Sequence, residues 1–214
     1  MTTEKRPSCA RCNSPLNRCL CHTISTIDNH WPVHILQHSN ESNHAVGTAK
    51  IAQLSLRQCE LNISKITVEH DRVIETILSA KPILVFPTAN STPLESIDTN
   101  NARPLIFLDA TWRKAKRMYL ESELLQSLPT VHLQAASLPA YKIRKSPSSK
   151  ALSTIEAIAE TLSALEDDAE KYQPLLASMS WMIERQIELM GEETYQKNYV
   201  DVDKKNLPTK KASD

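Results

Sequence analysis

The feature that most limits what this chain can fold into is a shortage of glycine: Gly47 and Gly191 are the only two in 214 residues, where the usual ~7% would give about fifteen. A Rossmann fingerprint needs three glycines within six positions, and a Walker loop needs two flanking a Lys-Ser/Thr. In both, the backbone presses against phosphates where a Cβ would collide. Neither can be written with these two residues. A nucleotide-like ligand, if bound, must be held by another chain geometry.

The length suits one domain with a small appendage, and 41% hydrophobic with 23% charged residues is an ordinary globular balance. No apolar run approaches the ~18 residues of a membrane span, and the first residues (MTTEKRPSCARC) hold no apolar export segment. The expectation is a cytoplasmic protein without membrane attachment. Five cysteines in such a chain argue against disulfides. Four of them, Cys9, Cys12, Cys19 and Cys21, form C-x2-C-x6-C-x-C, a spacing suited to tetrahedral thiolate coordination of a structural Zn2+ with no open position. An iron-sulfur site or a metal-free cluster needs similar residues and stays open. Cys59 stands apart, in a stretch (IAQLSLRQC) that reads as helix, as a buried small hydrophobe.

Beyond the cysteine segment the pattern alternates in the α/β manner. Strands are expected at 33–37 (VHILQ), 63–68, 82–86 (PILVF), 104–108 (PLIFL) and 130–133, with helices at 48–59, 72–80 and 111–120. Residues 87–103 read as a loop over an active-site edge and 134–150 as a long basic loop. Two helices follow: one opened by Ser153 with Glu156 three residues on, a capping box, and one over 174–190. The organisation expected is a metal-binding segment at 1–24, a catalytic domain at 25–200 and a basic flexible tail at 201–214.

Zero net charge conceals a division along the chain. Residues 103–150 hold nine Lys/Arg against three Asp/Glu, while residues 151–203 hold three against twelve. The middle third is a candidate anion-binding surface, or simply a solvated charged face. Arg113, Lys114, Lys116 and Arg117 crowd one short helix beside Trp112, and Lys142, Arg144 and Lys145 surround Tyr141. Cations near aromatic rings are the ingredients of RNA binding. Asp109 ends an apolar strand in D-A-T-W, at the strand end where open α/β sheets collect ligands. It is a candidate catalytic carboxylate, or a cap for the following helix. His38 and Glu41 make a polar pair after the first strand, in a stretch that also reads as a plain turn.

Four features in order carry a resemblance. They are the cysteine set, the H-x-x-E turn at His38 to Glu41 with Thr48 after it, D-x-T-W at Asp109 to Trp112 running on as R-K-A-K-R-M, and Y-K-I-R-K-S-P followed by A-L-S-T-I-E-A-I-A. Over about residues 7–190 the chain resembles the DTW-domain family of tRNA-uridine aminocarboxypropyltransferases, and in particular its bacterial members acting on the tRNA variable loop. The resemblance implies a SPOUT-like α/β fold whose C-terminal trefoil-type knot holds S-adenosylmethionine. This cofactor lacks phosphates, which accords with the glycine shortage. It also implies transfer of the 3-amino-3-carboxypropyl group to N3 of a uridine, giving acp3U and methylthioadenosine.

On that footing Asp109 is the expected catalytic residue, accepting the N3 proton or orienting the imide. Leu108, Thr111, Trp112, Ser153 and Thr154 are expected at the cofactor. Arg113, Lys114, Arg117, Lys142, Arg144 and Lys145 are expected on tRNA phosphates, in a monomer. His38, Glu41 and Thr48 form a possible active-site turn. Two departures bear on that turn: Ser39 stands where relatives often carry proline, and 45–50 (AVGTAK) where they resemble T-N-T-G-R. The rival functions are a SPOUT-type RNA methyltransferase and a noncatalytic zinc-containing RNA-binding protein.

Overall fold

Six strands make one sheet with every neighbour pair parallel: β1 (Val33–His38), β2 (Cys59–Ser64), β3 (Ile83–Val85), β4 (Thr92–Pro93), β5 (Leu105–Asp109) and β6 (Thr130–His132), in the order β2-β1-β5-β3-β6-β4. The computed structural model describes residues 7–41, 47–65, 67–134, 152–191 and 194. The α/β class expected from the alternation is therefore found, as a parallel sheet covered on both faces. Side chains alternate across the sheet. Val33, Ile35, Leu105, Phe107 and Ile83 face one core, and Leu36, Ile106 and Leu84 the other. Helices α1 (Ala49–Ser55), α5 (Thr154–Glu166) and α6 (Ala169–Met190) supply the first core, while α2 (Thr67–Ile77), α3 (Trp112–Glu121) and α4 (Glu123–Ser127) supply the second. With both faces buried, the central strands read as continuous apolar runs.

Several boundaries differ from the periodicity. α1 stops at Ser55, and Cys59 begins β2 instead of ending a helix. The cause is distant in sequence. Ile27 donates its N–H to the Ser55 carbonyl and accepts from Arg57, and the Asn29 side chain bonds both backbone groups of Gln58. These contacts end the helix and lead the chain into β2. α2 begins before the expected 72 and gives way to a single 3-10 turn at Leu78–Ala80. α6 starts well before Pro174, because Asp168 accepts the Lys171 N–H as N-cap and Tyr172 is fully buried. The stretch read as a loop at 87–103 contributes the two-residue β4 at the sheet edge.

Left-handed backbone conformations, which favour glycine, are taken here by Asn13 (φ 58), Lys81 (φ 54) and Asp167 (φ 49), with Gly191 (φ 84) closing α6. Asn and Asp tolerate this region better than other side chains. At Ser153 the expected capping box is present: its hydroxyl accepts from the Glu156 N–H, and the Glu156 carboxylate accepts the Ser153 N–H at 2.7 Å. Both residues are buried. Ser153→Ala is expected to cost about 1 kcal/mol, a fall of about 2–4 °C in Tm, measurable by thermal denaturation. The knot expected of the C-terminal region would involve the chain entering α5, and residues 135–151 lie outside the described residues.

Candidate active site and metal centre

β1 and β5 lie side by side in the middle of the sheet, with Gln37 in register with Asp109 at their C-terminal ends. The Asp109 carboxylate is held from two directions. Gln37 donates its amide N–H to Oδ2 at 2.6 Å, and Thr154, the first residue of α5, donates its hydroxyl to Oδ1. Gln37 is buried, whereas Asp109 and Thr154 are half-buried. The helix-cap reading of Asp109 does not hold, because Thr111 is the N-cap of α3 and the carboxylate is committed to Gln37 and Thr154. Each carboxylate oxygen has a second lone pair, so Asp109 can still accept a proton or hydrogen bond from a ligand.

A cavity of about 200 Å³ opens at the ends of β3, β5 and β6 against the start of α5. Leu108, Trp112, Ser153 and Thr154 all line it, with Phe86 and Leu133 completing its apolar wall. Four of the five expected cofactor residues thus meet in one place. Thr111 is exposed and is not among its lining residues. Trp112 stacks on Phe86, ring centroids 5.9 Å apart at 29°, so it serves the core and the cavity together. At the floor, the capping box occupies the N–H groups of Ser153 and Glu156. The N–H groups of Thr154 and Ile155 belong to the first turn, which has no intrahelical acceptor for them. An anionic group is favoured at such a helix start.

The H-x-x-E segment is a turn, closed by the Glu41 N–H on the His38 carbonyl at 2.8 Å. Glu41 pairs with Lys114 across 3.0 Å, and the His38 ring accepts the Asn40 N–H. His38, Arg113, Lys114 and Arg117 line a second cleft of about 450 Å³. Arg117 is bound to Glu121 at 2.6 Å, so two of the three expected phosphate-binding cations on α3 already have carboxylate partners. Thr48 is buried at the start of α1 and makes no capping bond. Lys142, Arg144 and Lys145 lie outside the described residues. Gln37 enters the sequence reading only as the last residue of the strand expected at 33–37, and a polar side chain ending an otherwise apolar strand is its one signal.

The four cysteine sulfurs lie within 4.8 Å of one another, with Cys9 Sγ to Cys21 Sγ at 3.7 Å and Cys12 Sγ to Cys19 Sγ at 3.8 Å. Tetrahedral Zn–S bonds of about 2.3 Å require sulfurs about 3.8 Å apart. The donor set therefore fits a closed tetrahedral thiolate site. α6 anchors this segment: Arg18 donates to Gln186, Arg185 to the Asn17 carbonyl and Ser178 to the Thr23 carbonyl.

Comparison with known proteins places the chain among relatives. The family model described as DTW domain matches residues 6–187. A Drosophila melanogaster protein named tRNA-uridine aminocarboxypropyltransferase 2 is 30% identical over 92% of this chain and 82% of its own. An Arabidopsis thaliana protein named tRNA-uridine aminocarboxypropyltransferase A is 31% identical over 82% of this chain and 79% of its own. A mouse protein with the first of those names is 27% identical over 92% and 69%. No solved structure matches significantly.

Proposed function

The chain belongs to the DTW-domain family, and from that premise we propose that it transfers the 3-amino-3-carboxypropyl group of S-adenosylmethionine to N3 of a uridine in tRNA. The observation that carries the proposal is Asp109, bound on both oxygens by residues from a neighbouring strand and a helix start, beside a cavity formed by the same helix. The donor supplies an electrophilic methylene next to a sulfonium. Uracil N3 forms the new N–C bond as the C–S bond breaks, and the sulfur of methylthioadenosine keeps the electron pair. Asp109 receives the N3 proton and orients the imide.

The chain's residues divide the remaining work. Leu108, Phe86 and Trp112 offer apolar walls suited to an adenine ring, and the start of α5 at Ser153 and Thr154 suits the amino-acid carboxylate. Thr111 opens α3 through its carbonyl, which accepts the Ala115 N–H. Which carbon reacts is a matter of position, because the aminocarboxypropyl arm must lie in line with N3. Cys9, Cys12, Cys19 and Cys21 would hold a structural Zn2+ that stiffens the N-terminal segment. Arg113, Lys114, Arg117, Lys142, Arg144 and Lys145 would hold tRNA phosphates.

The SPOUT-like reading with its C-terminal knot belongs to the same proposal and is supported by the all-parallel sheet with α5 and α6 packed on one face. No helix among the described residues is long and apolar enough to cross a membrane. We place the protein in the cytoplasm with its tRNA, as a monomer.

Incubating the purified protein with unmodified tRNA and S-adenosylmethionine, then analysing the nucleosides by mass spectrometry, is expected to show acp-uridine. Methylated uridine instead would identify a methyltransferase. Retained tRNA binding with no new nucleoside would identify a noncatalytic RNA-binding protein.

A further inference from the structure

A larger cavity, about 610 Å³, lies between the cysteine segment, α1, the β1–β2 edge and α6. Gln37 lines this groove and donates to Asp109 Oδ2, while Thr154 lines the smaller cavity and donates to Oδ1. Asp109 thus bridges residues of two separate cavities. Two cavities flanking the partners of one carboxylate suit a reaction between a small donor and a polynucleotide acceptor.

The charge of the groove separates it from the α3 surface. Its charged lining residues are Arg18, Lys50, Arg185 and Glu41, and Glu41 is paired with Lys114. Arg18 is oriented by Gln186 at 2.9 Å and Lys50 by Gln53 at 2.8 Å. A neutral amide fixes the direction of a cation without cancelling its charge. Arg185 bonds the Asn17 carbonyl and a Glu188 carboxylate. Trp181, half-buried with its ring edge-on to His22 at 4.4 Å, lines the same groove. Directed cations beside an aromatic ring fit an unpaired stretch of nucleic acid, where phosphates meet cations and a base stacks on the ring.

We propose that this groove receives the unpaired tRNA strand bearing the target uridine, with Arg18 and Lys50 on its phosphates, Trp181 against a base and Gln37 as a positioning residue beside Asp109. The proposal rests on the function argued above. Because the cysteine segment forms one wall, it gives that segment a part in RNA recognition beyond folding.

The test uses the full chain and unmodified tRNA. The Arg18→Gln/Lys50→Gln variant is expected to bind tRNA at least 10-fold more weakly. Its log Kd against log salt should be shallower by about 1.4, two contacts at about 0.7 each for a single strand, with S-adenosylmethionine affinity unchanged. Independently of that variant's folding, wild-type protein irradiated with tRNA carrying 4-thiouridine at the target position should crosslink through peptides containing Arg18 or Trp181. Crosslinks confined to α3 would overturn the proposal, as would a folded double variant with wild-type affinity and salt slope. Wild-type protein that binds no tRNA overturns the functional reading as well, whereas wild-type acp-uridine formation with α3-only crosslinks overturns the groove alone.

Discussion

Asp109→Asn is expected to lower the rate of acp-uridine formation by about 10²- to 10⁴-fold, the range supplied by a positioned proton acceptor, while the protein stays folded. The site absorbs this change everywhere except at the chemistry. The Asn side chain has the shape of Asp but turns one acceptor into a donor. If the new NH2 faces Thr154, that hydroxyl rotates to accept; if it faces Gln37, that amide flips to present its oxygen. Both contacts of Asp109 survive, and what disappears is the capacity to take the N3 proton. Single-turnover rates on tRNA, with thermal denaturation and S-adenosylmethionine binding measured alongside, check the outcome. Turnover at the wild-type rate in the folded variant would remove Asp109 from the mechanism.

Removal of metal from the cysteine site is expected to lower Tm by about 8–16 °C. In isolated zinc-finger peptides a structural zinc is worth about 10–16 kcal/mol, but here the segment is also held by side chains of α6. A loss of about 4 kcal/mol is then reasonable, at about 2–4 °C per kcal/mol for a domain of this size. Cys12 and Leu20, each 3% exposed, belong to the same core as Trp31, Met182 and Ile183. Disorder at the cysteines therefore reaches the main domain. Cys12→Ser should reproduce the chelator effect. Metal analysis should find about one zinc per chain, and a native protein free of zinc, or an unchanged Tm after chelation, would refute the site's structural role.

Legibility in the sequence follows the range of the interactions. The capping box at Ser153 and Glu156 was readable because both partners lie within one helical turn. The central strands were readable because burial on two faces makes an uninterrupted apolar run, as in PLIFL. The end of α1 was not, because Ile27 and Asn29 decide it from well outside any local window. Among the site residues, D-x-T-W placed Asp109 at the end of β5 and Trp112 at the start of α3, where Trp112 lines the smaller cavity. It said nothing of Gln37, 72 residues earlier, and only the family likeness suggested Thr154, 45 residues later.

Charge shows the same division. Counting Lys and Arg marked the α3 helix as a candidate phosphate surface, yet two of its cations are paired with Glu41 and Glu121. Arg18 and Lys50, unremarkable in the sequence, are held by neutral glutamines at the groove of about 610 Å³. The sequence by itself determined the scarcity of glycine, hence the exclusion of glycine-rich phosphate loops, and a cysteine spacing that converges on one point. Only the tertiary structure decided which strands become neighbours, and so which residues hold Asp109 and which cations face a carboxylate. The physical reason is that hydrogen bonds and ion pairs act over a few ångströms of space. The strand order β2-β1-β5 makes neighbours of residues whose separation along the chain carries no local signal.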